Sequence, residues 1–595
     1  MKNLGNKLKA CLWLLLCTAA VQAQPARPAD GGAPEKTAWY NPAADSLLPI
    51  QGRCWNRETG PVYQRLPQRA ARLVRQPVWN LSRQTAGLYI QFRTNAPRIE
   101  VKYTVTGGHA MPHMPATGVS GVDLYMTDCD GRTHWCAAKY QFGDTIRYTY
   151  RDLTYRNTHA KGNEFTLYLP LYNGVKTLEI GVPDGSPLLF QRPSAEKPVI
   201  VYGTSIAQGA CASRPGMAWT NILQRKLDRP VVNLGFSGNG QLDEAMFQLL
   251  AETDAALYVI DCMPNMTDER ADLIRPRLEK GLRLLRSRTG APILLVEHDG
   301  YMGYTASASR EEQFRRTNRE LRRAYDSLNA ELGGLHYLGF EELGLSMDSQ
   351  VDGVHATDLG MAQYAEAYYN KVSQILYGGE PAMHFTPCRQ HRDADTYRWN
   401  ERHEQVLRHV AACPPQIVLL GNSITHFWGG EPYEKRRVAP DVWDKLFRGR
   451  RAANLGFGWD RIENALWRIR HGELDGYRAE KVFLLLGTNN LTLNSDDEIV
   501  LGLQETVAAV AAKQPDARIY VVRILPRRGY EERLAHLNDR IADALQASPR
   551  TEVIDPGRVL LSRDGRIDEG LFSDGLHPNH EGYRRLAREL EPYVR

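Results

Sequence analysis

The chain has 595 residues, of which 43% are hydrophobic and 24% charged, and its formal net charge at pH 7 is +5. This length excludes a single hydrophobic core and indicates roughly three or four domains of ordinary globular composition. The Lys and Arg residues are scattered, without a basic run interleaved with aromatic residues, so nothing favours a nucleic-acid partner.

The first 23 residues have the three-part pattern of a secretory signal peptide. Three lysines precede an apolar run over residues 10–21, and the small residues of "VQA" place the predicted cleavage after Ala23. The run is too short for a comfortable membrane span. We therefore expect a periplasmic or secreted protein with no membrane span. A lipid anchor on Cys17 is less favoured, because the large Leu16 precedes it.

Seven of the nine cysteines lie beyond the predicted signal peptide. An odd number cannot all pair internally, and their density is too low for a disulfide scaffold. Cys129 and Cys136 flank a predicted hairpin turn, so a local bridge between them is one option. None of the seven has zinc-finger spacing.

Residues 37–193 alternate apolar and polar side chains with a period of two. Leu88, Ile90 and Phe92 share one face of a predicted strand, and similar runs separated by Gly, Asn and Pro continue to Val182. This pattern predicts an antiparallel β-sandwich, or jelly-roll module.

Two later segments, residues 197–377 and 398–595, alternate short apolar strands with helical stretches. The first opens with "KPVIVYGTS", and the second opens with a helix over about residues 398–411 followed by "PQIVLLGNS". Both predict α/β domains wound around parallel sheets. Residues 378–397 have no periodicity and are predicted to be a linker.

Four landmarks occur in the same order in the two α/β segments. Each segment has a Ser directly after its first strand, an "NLGF" turn, an Asn after a later strand, and an Asp-x-x-His unit. The Ser-to-His intervals, 150 and 154 residues, are nearly equal. The four pairs are Ser205 and Ser423, Asn265 and Asn489, Asp352 and Asp574, and His355 and His577.

These residue types fit nucleophilic acyl transfer. A serine hydroxyl needs a base to remove its proton, and histidine does this at neutral pH. An Asp on the same turn can fix the tautomer of the His. The resulting oxyanion needs preplaced donors, which an Asn amide and the N–H groups of a Gly-containing turn can supply. No G-x-S-x-G elbow surrounds either Ser, which argues against the α/β-hydrolase family.

The landmarks resemble the SGNH (GDSL-like) esterase superfamily. In the second segment, "GNSITHFW", "VFLLLGTNN" and "SDGLHPNHEGY" are similar to the platelet-activating-factor acetylhydrolase β/γ-type branch over about residues 399–593. Earlier, "ATGVSGVDLY", "GTSIAQG" and "NLGFSGNG" resemble secreted bacterial SGNH proteins with a jelly-roll module, over about residues 39–377. The resemblance implies two flavodoxin-like α/β/α domains behind that module.

The resemblance also implies a role for each landmark. The two Ser would be nucleophiles whose own N–H groups face the oxyanion, and the two His would be bases held by the two Asp. Gly238 with Asn265 would complete the first oxyanion hole, and Trp459 with Asn489 the second. The chain departs from the family in two places. Trp459 stands where Gly is usual, which predicts a narrower acyl pocket with Gly458 as a further donor, and "CMPN" replaces the common Gly-x-Asn-Asp.

Other residues leave two interpretations open. "HAMPHM", residues 109–114, is either a metal site built on His109 and His113 or a polar loop. The loop is favoured because no third hard ligand is evident nearby, and it could reach over the first active site. The second segment has residues that fit either substrate contact or ordinary packing and salt bridges, the commoner roles. They are Trp428, Trp459, Trp467 and Arg461.

We therefore expect a secreted, two-headed serine esterase that removes small acyl groups, chiefly acetyl, from an acetylated oligo- or polysaccharide. The reaction needs no metal or cofactor. Two alternatives remain. A lipase or lysophospholipase would use the same machinery on long acyl chains, although the sequence has no evident amphipathic lid. A glycan-binding protein with vestigial esterase units would bind without turnover.

Overall fold

The computed structural model describes residues 36–157, 161–301, 306–378, 385–393 and 396–595. The predicted signal peptide lies outside these residues. Among the helices in these ranges, none is long and apolar enough to cross a membrane.

The N-terminal module is a sandwich of two antiparallel sheets, as the period-two pattern predicted. Its strands are β1 (Thr37–Tyr40), β2 (Ile50–Gln51), β3 (Tyr89–Thr94), β4 (Ile99–Val105), β5 (Asp123–Thr127), β6 (Thr133–Cys136), β7 (Ala138–Gln141), β8 (Ile146–Tyr150), β9 (Asn163–Tyr168), β10 (Val175–Pro183) and β11 (Leu188–Phe190). One sheet has the order β1-β10-β4-β8-β7 and the other β11-β3-β9-β5-β6, with β2 beside β3. Alternate residues such as Ile90, Phe92 and Val101 fill the core between them. Three short helices interrupt the strands: α1 (Asn56–Thr59), α2 (Gln76–Ser82) and α3 (Ala116–Val119).

The first α/β domain is wound around a five-stranded parallel sheet. Its strands are β12 (Val199–Gly203), β13 (Val231–Gly235), β14 (Leu257–Asp261), β15 (Ile293–Val296) and β16 (Leu335–Leu338), in the order β13-β12-β14-β15-β16. Its helices are α4 (Ser205–Gln208), α5 (Trp219–Leu227), α6 (Glu244–Leu250), α7 (Ile274–Arg286), α8 (Ala308–Leu332) and α9 (Asp358–Tyr377).

The second α/β domain repeats this topology. Its strands are β17 (Ile417–Gly421), β18 (Ala452–Gly456), β19 (Lys481–Leu485), β20 (Arg518–Val522) and β21 (Thr551–Ile554), in the order β18-β17-β19-β20-β21. Its helices are α10 (Trp399–Ala412), α11 (Ser423–His426), α12 (Pro440–Leu446), α13 (Ile462–Arg470), α14 (Asp496–Lys513), α15 (Glu531–Leu545) and α16 (His580–Val594).

Both parallel sheets are buried on both faces. In β12, Ile200 and Tyr202 face one apolar core, while Val199 and Val201 face the other. The strands of the second domain divide between two cores in the same way. This explains why these strands are continuous apolar runs, and it confirms the prediction of two three-layer α/β/α domains.

The chain between β2 and β3 belongs as much to the first α/β domain as to the module. Trp55, Leu66, Val78 and Trp79 pack into the core on one face of the first parallel sheet. The sequence placed this segment within the module, because it gave no local sign of its partner. The two regions therefore share a core.

In each α/β domain, a fully buried arginine binds the end of the strand that lies next to the first strand of the sheet, β13 beside β12 and β18 beside β17. Arg65, from the chain between β2 and β3, donates to the carbonyl oxygens of Asn233 and Gly235 at 3.2 and 2.6 Å. In the second domain, Arg402 of α10 donates to the corresponding oxygens of Asn454 and Gly456 at 3.2 and 2.7 Å. The module thus supplies the buried arginine of the first domain, whereas helix α10 supplies the buried arginine of the second.

The described part of the predicted linker, residues 385–393 and 396–397, packs between the domains. Arg389 makes a two-pronged ion pair with Asp228 of the first α/β domain, at 2.7 and 2.9 Å, and reaches Glu164 of the module at 3.0 Å. Trp467 of the second domain donates to the same Asp228 at 2.9 Å. All three regions therefore meet at one polar junction.

The disulfide bridge that the sequence allowed between Cys129 and Cys136 does not form. All seven cysteines among the described residues are free thiols. Cys136 ends β6 opposite Leu124, and its side chain is buried in the core of the sandwich. The thiol packs as a small apolar group there.

Replacing either buried arginine should destabilise the protein strongly. Arg65→Ala or Arg402→Ala leaves two buried strand carbonyls without their donor, so we expect a loss of about 3–5 kcal/mol in the free energy of unfolding. Arg69→Ala is a matched control, because Arg69 pairs with Glu58 and Glu252 at the surface and should cost less than about 1 kcal/mol. Scanning calorimetry of the three variants measures the difference, and equal losses would contradict the assigned role.

Candidate active sites

Each landmark serine lies at the carboxyl end of the first strand of its parallel sheet. Ser205 follows β12 and opens α4, and Ser423 follows β17 and opens α11. The side chains of Thr204 and Asn422 cap these short helices by accepting from the N–H groups two residues on, at 3.3 and 3.0 Å. In both sheets the strand order reverses at this strand, which is where open α/β folds form their ligand crevices.

In the first domain, the Ser, His and Asp form a continuous hydrogen-bonded chain. Ser205 Oγ lies 2.9 Å from His355 Nε2, and His355 Nδ1 lies 2.8 Å from Asp352 Oδ2. The other carboxylate oxygen of Asp352 accepts from the backbone N–H of His355 at 2.8 Å. The Asp therefore holds both the backbone and the ring of the His.

The second domain has the same chain at nearly the same distances. Ser423 Oγ lies 2.8 Å from His577 Nε2, and His577 Nδ1 lies 2.7 Å from Asp574 Oδ2. The N–H of His577 again donates to Asp574, at 2.8 Å. Both sites therefore carry a hydroxyl in contact with an imidazole that a carboxylate orients.

Both acids are held in the charged form. Partial burial opposes ionisation, but the N–H and ring of the following His outweigh it and lower the pKa of Asp352 below its ordinary value. The same balance lowers the pKa of Asp574. A carboxylate that remains ionised stabilises an imidazolium beside it.

The turn after the "NLGF" strand has a left-handed residue at the same position in both domains. Gly238 has φ +68°, and Trp459, at the corresponding position, has φ +64°. A Cβ at Gly238 would meet nothing within 4 Å, and the side chain of Trp459 is 52% exposed. The substitution is therefore accommodated sterically, but it places a non-glycine residue in the left-handed region.

Side chains three residues after each Ser anchor these turns. Gln208 Oε1 accepts from the N–H of Ser237 at 3.0 Å, and His426 Nδ1 accepts from the N–H of Gly458 at 3.0 Å. The Gly458 N–H is thus engaged, which corrects the expectation that it donates to the oxyanion. Sequence reasoning missed Gln208 and His426, although a polar residue at the same distance after each Ser was a usable signal.

In each turn, side-chain donors bind the carbonyl of the residue before the left-handed position. In the second domain, Gly458 O accepts from Gln390 at 2.8 Å and from Tyr397 at 2.7 Å, both of them linker residues. In the first domain, Ser237 O accepts from Asn239 at 2.9 Å. Because a trans peptide sets its N–H opposite its C=O, the N–H groups of Trp459 and Gly238 are directed away from these donors.

The two predicted Asn side chains contact the turns. Asn265 Oδ1 accepts from Gly240 N at 3.1 Å, which fixes the amide oxygen and leaves the amide N–H groups to donate. Asn489 donates one N–H to Asp460 O at 2.9 Å and retains a second. The structure thus brings Ser, His, Asp, the turn and Asn together in each domain.

Two of the three tryptophans considered for sugar contact are core residues. Trp428 is fully buried between Trp443 and Tyr583, and Trp467 stacks on His471 with ring centroids 3.6 Å apart. Arg461 is paired with Asp130 and Glu463, at 3.5 and 3.7 Å. Trp459 alone of the three is exposed.

The loop "HAMPHM" reaches the first site through one of its histidines. The His113 ring lies 5.7 Å from the His355 ring, whereas the His109 ring lies against Phe142 of the module at 5.6 Å. The two histidines of the loop therefore do not form the metal site that the motif left open. His113 instead adjoins the Ser-His pair.

Three family profiles match the chain. Residues 196–373 and 419–585 each match a GDSL-like lipase/acylhydrolase family, and residues 37–188 match the N-terminal region of SGNH-hydrolase-type esterases. Among curated relatives, platelet-activating factor acetylhydrolase IB subunit alpha1 of Homo sapiens is 28% identical over 197 residues, 32% of this chain and 81% of that protein. The alpha2 subunit of Bos taurus is 26% identical over 201 residues, 33% of this chain and 83% of that protein.

One solved structure is similar to this chain in both fold and sequence. The crystal structure of a Bacteroides ovatus protein assigned as a GDSL-like lipase is 29% identical, with a TM-score of 0.52. The match covers 57% of this chain and 98% of that one.

The left-handed turn predicts that glycine is more stable than alanine at this position in both domains. Gly238→Ala should lower the free energy of unfolding by about 1 kcal/mol, since only backbone strain is added. Trp459→Gly should be more stable than Trp459→Ala by a similar amount, against the usual preference for Ala over Gly. Urea unfolding of the four proteins tests this, and a more stable Trp459→Ala would show that the turn carries no strain.

Proposed function

Because the chain carries two domains of the GDSL-like (SGNH) lipase/acylhydrolase family behind an SGNH-hydrolase-type N-terminal region, we propose that it is a secreted two-site esterase for small acyl groups on glycans. The observation that carries the proposal is the pair of Ser-His contacts, 2.9 and 2.8 Å long, each backed by a charged Asp. These contacts fit an acylhydrolase, and the acetyl group and the glycan are further parts of the proposal.

The proposed reaction proceeds through an acyl-enzyme in each site. His355 Nε2 takes the proton of Ser205 Oγ as the oxygen attacks the ester carbonyl, and the same proton then goes to the sugar oxygen, which departs as a hydroxyl. Water next attacks the acyl-serine while His355 accepts a proton from it, and that proton returns to Ser205 Oγ as the acyl C–O bond breaks and the carboxylic acid leaves. His577 and Ser423 would do the same in the second site.

The turns and Asn side chains would stabilise the oxyanion. The N–H of Gly238 with the amide of Asn265 serves the first site, and the N–H of Trp459 with Asn489 serves the second. The N–H groups of the two serines, at the starts of α4 and α11, add a further donor. Fixed donors of this kind cost no reorganisation during the reaction, which is why each contributes strongly.

Two observations support acetyl as the acyl group. The relatives named above are acetylhydrolases, so the machinery in those proteins removes a two-carbon acyl group. In this chain the exposed Trp459 borders the second oxyanion turn and would narrow the acyl side of the pocket. The same exposed ring offers a face on which a sugar can stack. An acetylated lipid is the alternative that the names of the relatives favour.

Secretion rests on the signal pattern before Gln24. A periplasmic or extracellular enzyme would meet acetylated polysaccharides, which fits the proposed substrate. N-terminal sequencing of the mature protein should begin at Gln24, whereas a retained Met1 would exclude cleavage.

Removing each serine should silence one site only. Ser205→Ala and Ser423→Ala should each retain the activity of the other site, and the double variant should lose more than about 1,000-fold in acetate release from acetylated polysaccharides. Ser495→Ala, which removes an ordinary helix cap before α14, is the control and should retain both activities. Full activity in the double variant would overturn the proposal. A chain-length profile that favours long acyl groups would favour the lipase alternative.

His426 should position the second oxyanion turn. Burial, with Arg402 nearby, lowers the pKa of His426 to about 3, so its Nδ1 remains an acceptor for Gly458 at neutral pH. In the Ser205→Ala background, His426→Ala should lower kcat by about 10- to 100-fold with little change in KM, because the turn loses its anchor.

His426→Gln is the matched variant. It places in the second domain the acceptor that Gln208 provides in the first, and it should restore most of the lost kcat. If His426→Ala and His426→Gln are equally impaired, the imidazole has another role. If neither is impaired, the turn does not depend on this anchor.

A further inference from the structure

Three metal-ligand side chains meet at the first Ser-His pair. The ligand atoms of His113, Cys211 and His355 all lie within 4.8 Å of one another. In a tetrahedral zinc site with bonds of about 2.0–2.3 Å, ligand atoms are roughly 3.3–3.8 Å apart. Movements of about 1 Å would therefore bring these three atoms into coordination geometry.

We propose that His113, Cys211 and His355 form a zinc site through which the metal reversibly inhibits the first active site. One sulfur and two imidazole nitrogens are a donor set for zinc, whereas magnesium and calcium prefer oxygen. Three protein ligands leave a fourth position for water. This inhibitory site goes beyond the proposed ester hydrolysis, in which no metal takes part.

The ligands are held near one another by the docking of the module on the first α/β domain. Thr117, four residues after His113, donates through its hydroxyl to Ser213 O at 2.7 Å, close to Cys211 in sequence. Gly118 packs so tightly on Ala212 that a Cβ would lie 2.1 Å from the Ala212 carbonyl oxygen. The exposed His113 side chain can rotate over the small remaining distance.

Cys211 is a specific feature of the first site. It has φ +69°, a conformation that costs a non-glycine residue about 1–2 kcal/mol, and its side chain is buried beside the reacting groups. Zinc would bind Cys211 as the thiolate, and the displaced thiol proton would pass to solvent.

Zinc at this position would disable the base. Both ring nitrogens of His355 are in use, Nε2 with Ser205 and Nδ1 with Asp352. A cation on Nε2 takes the lone pair that receives the serine proton, and a cation on Nδ1 displaces the orienting carboxylate. Either way the serine loses its activation.

The second site is an internal control. His577 has the Phe427 ring beside it at 5.8 Å, with the guanidinium of Arg436 over that ring at 4.3 Å. Gly429 stands six residues after Ser423, where the first domain has Cys211 six residues after Ser205. We therefore expect zinc to act on the first site alone.

The first experiment titrates zinc chloride against each site separately. The Ser423→Ala variant, with only the first site, should lose about 100-fold or more of its rate at saturating zinc, as expected when a general base is blocked. EDTA should restore the rate, and magnesium should have no effect. The Ser205→Ala variant should be unaffected, and equal inhibition of the two sites would overturn the proposal.

Ligand variants in the Ser423→Ala background identify the site. His113→Ala and Cys211→Ser should each raise the zinc concentration for half inhibition by about 100-fold or more, relative to that variant's own metal-free rate. His109→Ala, in the same loop but packed on Phe142, is the matched control and should leave it unchanged. Unchanged inhibition in Cys211→Ser would overturn the proposal.

Cobalt absorption measures binding without catalysis. In the Ser205→Ala/Ser423→Ala protein, cobalt(II) should give a thiolate charge-transfer band that disappears with Cys211→Ser. The inhibition experiment depends on the proposed ester hydrolysis, whereas the cobalt absorption experiment does not. A cobalt band without any ester hydrolysis in the wild-type protein would refute the proposed function and support the metal site, and a band that survives Cys211→Ser would refute the metal site.

Discussion

Two buried arginines hold the strand ends from which both candidate oxyanion turns emerge. A guanidinium enclosed by protein loses its hydration, and burial lowers the pKa of Arg65 to about 9. The cost is offset because Arg65 binds the carbonyls at the end of β13, as Arg402 binds those at the end of β18. Each also lies over the Phe that opens the turn, 4.9 and 5.1 Å from the ring centroid. The position of the turn, and so of its free N–H, depends on this contact.

The two domains meet this requirement with different parts of the chain. The second domain uses its own α10, whereas the first borrows Arg65 from the module, together with Trp55, Leu66 and Trp79 in its core. The module is therefore part of the first site's framework. In the second domain the linker also supports the turn, because Gln390 and Tyr397 donate to the Gly458 carbonyl.

The shared machinery has different surroundings in the two sites. The Ser, His and Asp agree to within 0.1 Å in both Ser–His and His–Asp distances. The neighbours differ: His113 and Cys211 adjoin the first site, and Phe427 and Trp459 the second. The same three reacting groups therefore stand in two different environments.

Local sequence patterns were enough to predict the fold class and the side chains that meet in each site. Continuous apolar runs specify parallel strands buried on both faces, and Asp-x-x-His specifies a turn on which the acid reaches the ring three residues away. No local sequence pattern indicated the roles of Gln390, Arg65 and Cys211. Arg65 binds Gly235 across 170 residues, and such a contact depends on how whole domains dock. Because that docking buries surfaces from three regions at once, only the tertiary structure decided which polar side chains support, and which adjoin, the two sites.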